Sequence, residues 1–337
     1  MHTLEQLLAH SGCAFVGEPV GVIYGGTSAE RDISLKTGQA LAQALREAGH
    51  AVTLYDFPEA LRAFVSAPPR AVLIAMHSGM GENGTLQGFL ETLQVPYSGS
   101  GVFATALAMD KVRAKAVLAA EGVAVAQSFA AYTPSEMTPD EVHAQMQRRG
   151  MGWPVVIKPS DSGSSQGVSL CKGPEDVPEA LRRVLELFER GQATAMLTEQ
   201  FMNGPEYTVG FFGDACLGSI HIKPAQEFYD YEAKYQSTST QYIPVDGPLA
   251  QRLEALAAHA WRALGCRGVG RIDLMAHDDE LFILEANTVP GMTATSLVPK
   301  LAASQGIAFP RFADLMLATA TTDAAYHLER WRGPSRG

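Results

Sequence analysis

Apolar residues along the chain fall into short runs separated by glycine turns, and the runs alternate with helical periodicity. The run from Val20 to Tyr24 ends at Gly25-Gly26-Thr27-Ser28, and Leu35, Leu41 and Leu45 then recur at helical spacing up to Gly49. Runs from Val52 to Tyr55 and from Ala71 to Met76 repeat the strand signature, so residues up to about 100 predict an open parallel α/β unit. A helical pattern from Thr105 to Glu121, rich in Ala and carrying Lys111, Arg113 and Lys115, stops at Gly122. Trp153 to Lys158 and Val168 to Cys171 read as a hairpin-like strand pair around the Ser/Gly loop Ser160 to Gly167. Leu181 to Arg190 predicts a helix, and Ala195 to Glu199 and Glu206 to Phe212 predict strands. The polar, Tyr-rich stretch from Glu227 to Tyr242 has no clean period and reads as a long ordered loop, the kind of connection that serves as a lid. Leu249 to Leu264 predicts a helix, and Gly268 to Asn287 alternates as two strands around His277-Asp278-Asp279-Glu280. Leu4, Leu7 and Leu8 suggest a short amphipathic lead-in helix, and the tail after about Thr322 reads as a fraying helix with a disordered basic end.

Composition narrows the class. At 337 residues the length favours two or three packed units, and 46% apolar with 18% charged residues argues for cores and against disorder. With 26 Lys and Arg against 36 Asp and Glu the net charge is -10, which argues against nucleic-acid or anionic-membrane partners held by bulk charge. A small anion needs only a few local cations and backbone N–H groups, so lysines near glycine turns matter more than the total. The four cysteines are far apart, which suggests neither a disulfide framework nor a thiolate zinc site and fits a reducing cytoplasm. There is no Lys or Arg before Arg31, and Ser11-Gly12-Cys13 lacks the apolar stretch of a lipoprotein signal. No apolar run reaches the roughly 18 residues that span a membrane.

The most informative chemistry lies in Arg271-Ile272-Asp273 and Glu285-Ala286-Asn287. Residues two apart on a strand share a face, so pairing Asp273 with Glu285 collects two carboxylates, an amide oxygen and a guanidinium on one face. That is an all-oxygen set suited to Mg²⁺, and the bland alternative is a solvated sheet face. The pairing requires an odd-length turn or a bulge, because a two-residue turn at Asp278-Asp279 alone sets the two side chains on opposite faces. The Ser160 to Gly167 loop can turn its N–H groups toward phosphate, with Lys158 as a point charge, or it can be a flexible hairpin tip. It is not a Walker loop, and neither Gly25-Gly26-Thr27 nor Gly99-Ser100-Gly101 completes a dinucleotide fingerprint. Glu30 at a helix start is either ordinary N-terminal charge or a grip for a substrate ammonium. His77 closes a predicted strand, where open α/β sheets bind ligands, although a lone histidine is more often structural.

Taken together the motifs resemble the D-alanine:D-alanine ligases. They are Gly25-Gly26-Thr27-Ser28-Ala29-Glu30-Arg31, His77 with Gly84-Thr85-Leu86-Gln87-Gly88, Tyr97-Ser98-Gly99-Ser100-Gly101, Met109-Asp110-Lys111, and Lys158-Pro159 with Gly163-Ser164-Ser165. Phe228 to Tyr235, Leu284 to Thr288, Pro290 to Thr293 and Ser296-Leu297 complete the set in family order, covering about Val20 to Phe309. The resemblance implies the α/β ATP-grasp fold: a lead-in 1–19, an N-terminal α/β domain 20–101, a central domain 102–201, a C-terminal domain 202–321 with a lid 227–242, and a tail 322–337. It implies that Lys111, Lys158 and Ser165 hold ATP phosphates under a lid containing Lys234, and that Glu199, Phe201 and Glu206 meet adenine and ribose. Asp273, Glu285 and Asn287 would bind Mg²⁺ or Mn²⁺, two ions in all. Glu30 would take the first D-alanine ammonium, His77 would orient that substrate, and Arg271 with the Gly291 N–H would stabilise the oxyanion. Ser164 and Tyr235, linked to Glu30, would help deprotonate the second amine, whose carboxylate goes to Ser296 and Leu297. Phe201 stands where the family often has Trp, and Val289 where it often has Ser. A homodimer acting in the cytoplasm on D-alanine and ATP for peptidoglycan synthesis is expected.

Three rival readings remain at this level. A D-alanine:D-lactate ligase would carry Phe at 235 in the resemblance, so Tyr235 favours the amide product. A non-catalytic nucleotide-binding regulator should have lost metal ligands or the cationic clamp, and a dehydrogenase should have a complete fingerprint.

Overall fold

The structure, a computed structural model, describes residues 4–8, 15–163, 166–223, 240–293 and 295–332. After α1 (Leu4–Leu8), strands and helices alternate as β1 (Val20–Gly25), α2 (Arg31–Glu47), β2 (Val52–Phe57), α3 (Leu61–Ser66) and β3 (Ala71–Ile74). Helices α4 (Thr85–Thr92), α5 (Val102–Met109) and α6 (Lys111–Ala120) lead into β4 (Ser128–Ala131), α7 (Pro139–Arg149), β5 (Val155–Pro159), β6 (Ser169–Cys171), α8 (Val177–Glu189) and β7 (Met196–Gln200). Next come β8 (Glu206–Phe212), β9 (Ala215–Lys223), β10 (Gln241–Val245), α9 (Gly247–Ala263), β11 (Val269–His277), β12 (Glu280–Asn287), α10 (Leu297–Ser304), α11 (Phe309–Ala318) and α12 (Asp323–Arg332). Among the described residues no helix is long and apolar enough to cross a membrane.

The described residues form three sheets. The first is parallel in the order β2-β1-β3. Val20 and Val22 of β1 pack with Leu41, Leu45 and Phe312 of α2 and α11 on one face, while Ile23 packs with Phe64 and Leu90 of α3 and α4 on the other. The second is antiparallel, β4-β7-β5-β6, with one face buried under α7 and α8 through Met146, Val155, Ile157, Leu181 and Val184. The third, β10-β9-β8-β11-β12, is also antiparallel and sets Val209, Phe211 and Ile272 against α9, with Phe211 stacked 4.9 Å from Trp261. The expected hairpin around the Ser/Gly loop is present, since Val155 pairs with Cys171 and Ile157 with Ser169. Ala104, Leu107, Ala114 and Leu118 of α5 and α6 bury against the third sheet.

The β11–β12 hairpin resolves the register question. Asp278 and Asp279 form a two-residue turn, both with left-handed backbones (φ 47° and 64°), and His277 pairs with Glu280. A bulge between Asp273 and Leu274 then lets Leu284 stand unpaired, so that Asp273 sits opposite Glu285 and Arg271 opposite Asn287.

Three expectations need correction. The predicted helix from Thr105 to Glu121 is two helices, because Asp110 leaves helical geometry and its carboxylate accepts from the Arg113 N–H at 3.0 Å, capping α6. Alanine-rich periodicity runs straight through such a cap. Gln241 and Tyr242, assigned to the loop, belong to β10, while β9 escaped the sequence reading because Gly218 and Ser219 interrupt its alternation. The tail beyond Thr322 is docked through α12: Arg267, 4% exposed, lies between the rings of Tyr97 and Tyr326 at 5.1 and 5.2 Å and pairs with Asp323 at 3.2 Å. Asp323 in turn accepts from the Val102 N–H at 3.0 Å. Residues 333–337 of the expected basic end lie outside the described residues. Replacing Arg267 with Leu should destabilise the protein by about 3 kcal/mol in urea unfolding, because it leaves Asp323 without its buried cation; an unchanged midpoint would refute this role for the tail.

Candidate active site

The order β2-β1-β3 reverses winding direction between β1 and β3, which opens a crevice at their C-terminal ends. The chain leaves β1 through Gly25 and Gly26 at φ 86° and 91°, values that glycine adopts without strain. Arg31 secures this turn with a two-pronged bond to Asp56 at 2.9 and 2.6 Å and a bond to the Gly26 carbonyl at 3.0 Å. Glu30 is thereby buried in the crevice and accepts a hydrogen bond from Ser78, whose backbone is left-handed at φ 56°. Gly163 of the Ser/Gly loop approaches so closely that a Cβ there would lie 2.6 Å from Ser78 Oγ and 3.1 Å from Glu30 Oε2. His77, also buried, donates from Nδ1 to the Val289 carbonyl at 3.0 Å, and its Nε2 meets Thr37 Oγ1 at 3.0 Å. Glu82 flanks it at 3.7 Å, and burial pushes the Glu82 carboxyl above its ordinary pKa.

The second and third sheets turn their uncovered faces toward one cleft of about 410 Å³. Val156, Lys158 and Glu199 line it from one side, Glu206, Asp273, Met275, Leu284 and Glu285 from the other, and Phe201 and Lys111 also reach it. Lys158 and Lys115 grip the two oxygens of Glu199, the latter at 2.9 Å. Lys111 spans the cleft, 3.2 Å from Glu285 and donating to the Ser162 carbonyl at 3.0 Å. Burial alone would raise the Glu199 pKa, but Lys158 and Lys115 outweigh it and hold the carboxyl down at about 2. Burial pushes the Lys158 ammonium down, opposed by Glu199.

Beyond the cleft lining, Arg271 ion-pairs with Asp273 on the shared strand face. Asp273 Oδ1 and Asn287 Oδ1 are buried and have no hydrogen-bond partner among the described residues. Two inward-facing orphan oxygens beside the Glu285 carboxylate are what a hard cation requires, so the residues fit Mg²⁺ or Mn²⁺. Ser296 precedes α10, accepts from the Thr293 N–H at 3.0 Å, and lies against Gly291.

Comparison with known proteins agrees with this arrangement. A family model described as the D-ala D-ala ligase C-terminus matches residues 117–318. The curated D-alanine–D-alanine ligase of Anaeromyxobacter sp. (strain Fw109-5) is 42% identical over 317 residues, spanning 92% of this chain and 99% of the relative. The chain belongs to the D-alanine–D-alanine ligase family. Its fold matches the crystal structure of the Bacillus anthracis D-alanine–D-alanine ligase with a TM-score of 0.78 at 30% identity, covering 94% of this chain and 99% of that one. The same enzyme complexed with ATP matches with a TM-score of 0.77 at 28% identity, covering 94% and 100%.

Of the residues expected from the ligase resemblance, Lys111, Lys158, Glu199, Phe201, Glu206, Asp273 and Glu285 line the one cleft. Glu30 and His77 lie in the adjoining crevice, and Arg271, Asn287, Gly291, Ser296 and Leu297 lie on or just after the β11–β12 hairpin. Ser164, Ser165, Lys234 and Tyr235 fall outside the described residues, as does residues 227–239 of the expected lid. Sequence reasoning gave no role to Ser78, Glu82, Leu284 and Lys115, which the structure places in or beside the crevice and the cleft. Lys115 had a usable signal, four residues after Lys111 on the same helix face. The Glu199 carboxylate should contribute stability fully above its ordinary pKa near 4.5 and lose it as pH falls through about 2. Urea unfolding of Glu199→Gln should therefore show a loss of about 3 kcal/mol at pH 7 that shrinks steadily between these two values.

Proposed function

We propose that this chain joins two D-alanine molecules into D-alanyl-D-alanine at the expense of ATP, through a D-alanyl phosphate, in the cytoplasmic supply of peptidoglycan precursors. The observation that carries the reading is the single cleft in which Lys111, Lys158 and Glu199 face Asp273 and Glu285. Lys111 and Lys158 bind the phosphates, and Phe201 offers its ring to the base beside Glu199 and Glu206. Ser165 and Lys234 close over the nucleotide. Asp273, Glu285 and Asn287 would hold Mg²⁺ or Mn²⁺, two ions, which would supply positive charge against the phosphates.

Glu30 grips the first ammonium and His77 orients that molecule, so its carboxylate oxygen attacks the γ-phosphorus and ADP leaves. The second amine loses a proton with the help of the Glu30, Ser164 and Tyr235 group and attacks the acyl carbon. Arg271 and the Gly291 N–H stabilise the oxyanion, and the C–O bond to phosphate then breaks. Ser296 and Leu297 receive the second carboxylate at the start of α10, where backbone N–H groups favour an anion. Tyr235 rather than Phe supports an amine over a D-lactate hydroxyl as nucleophile. The enzyme acts as a homodimer.

Phosphate should be released only when ATP, Mg²⁺ and D-alanine are all present, and chelation should stop it; no release with D-alanine near neutral pH would defeat the ligase reading. Product analysis with added D-lactate should find dipeptide, not ester. Arg271→Ala should cut kcat by about 10²- to 10³-fold, whereas Lys158→Ala should chiefly raise the KM for ATP.

A further inference from the structure

Lys115 is a buried cation that the reaction outlined above does not use. It is 5% exposed and is absent from the cleft lining, although Lys111, one helical turn earlier, is part of it. Its ammonium instead reaches Glu199 from behind, 2.9 Å from Oε2, while Lys158 holds Oε1 from the cleft side. An ammonium taken out of water is costly unless it does work for its surroundings, and an all-apolar replacement of such a pair is often tolerated.

The charge count identifies that work. Five groups form these ion pairs in two sets: Lys111 with Glu285, and Lys158 and Lys115 with Glu199. Without Lys115, the Lys158–Glu199 and Lys111–Glu285 pairs each cancel, and the phosphate-facing ammonium of Lys158 is neutralised by its own neighbour. With Lys115, the three lysines against two carboxylates leave one unit of positive charge, in a pocket where low polarisability makes it count.

We propose that Lys115 is a positioning residue for nucleotide binding, which neutralises and orients Glu199 from outside the cleft so that Lys158 keeps its charge for the ATP phosphates. This rests on the reading of the cleft as an ATP site. Lys115 acts through Glu199 and touches no substrate, so its effect depends on the Glu199 charge.

The test is a four-member cycle of ATP dissociation constants, measured calorimetrically with Mg²⁺ on the full chain: the natural protein, Lys115→Met, Glu199→Gln, and the double variant, each with its unfolding midpoint. Lys115→Met should weaken ATP binding at least about tenfold, yet change it by less than about threefold in the Glu199→Gln background, where Lys158 has no anion to cancel it. The KM for ATP should rise with kcat and the KM for D-alanine nearly unchanged. Lys115→Arg should restore binding, and Lys115→Gln, which keeps a donor but no charge, should not. If Lys115→Met does not fold, Lys115→Gln decides the matter. Natural ATP affinity in folded Lys115→Met or Lys115→Gln, or an equal loss in both Glu199 backgrounds, would overturn the proposal. Failure of the natural protein to bind ATP would instead overturn the reading of the site.

Discussion

The register of the β11–β12 hairpin is the constraint from which the rest of the site follows. Side chains on a strand alternate strictly, so a hairpin with a two-residue turn and no irregularity would place Asp273 and Glu285 on opposite faces. The bulge gives up one ladder position at Leu284 and brings both carboxylates, Arg271 and Asn287 to the same face. Leu284, released from pairing, is itself part of the cleft wall. Two residues past the end of β12, the Val289 carbonyl accepts a hydrogen bond from His77, so the third sheet is also tied to the crevice of the first.

Around that hairpin, the three sheets divide the labour according to which faces their helices leave open. The second and third sheets each bury one face in a helical layer and present the other across a shared space. The parallel sheet is covered on both faces and can offer only its strand ends, which is where Glu30 and His77 lie. Connections between units are short and local: Lys111 bridges to Glu285 and Ser162, Gly163 leaves no room for a side chain beside Ser78 and Glu30, and Arg267, between the rings of Tyr97 and Tyr326, pins α12 through Asp323.

Charge illustrates why totals and sites must be separated. A chain of net charge -10 holds lysines at 111, 115 and 158 in two sets of ion pairs, Lys111 with Glu285 and Lys115 and Lys158 with Glu199, and burial makes these few groups far stronger than the diffuse surface acidity. The overall charge describes the surface as a whole, and the local cluster of ammonium groups suits a small polyanion.

The sequence by itself determined the alternation of strands and helices up to residue 100, the Ser/Gly hairpin, and which oxygen-bearing side chains share one face of the β11–β12 hairpin, because these depend on local periodicity and on residue chemistry at short spacing. It also required a bulge or an odd turn between Asp273 and Glu285, although not where that irregularity would fall. Only the tertiary structure decided that α5 and α6 break at Asp110 and pack on the third sheet, since a capped break is invisible in an alanine-rich pattern. The same holds for β9, for the docking of α12 on Arg267, and for Lys115 behind Glu199. The ion pairs of Arg267 with Asp323 and of Lys115 with Glu199 join residues more than 50 positions apart, a distance over which no local rule of spacing carries information, whereas β9 pairs with its neighbour β8 and was hidden by its broken alternation.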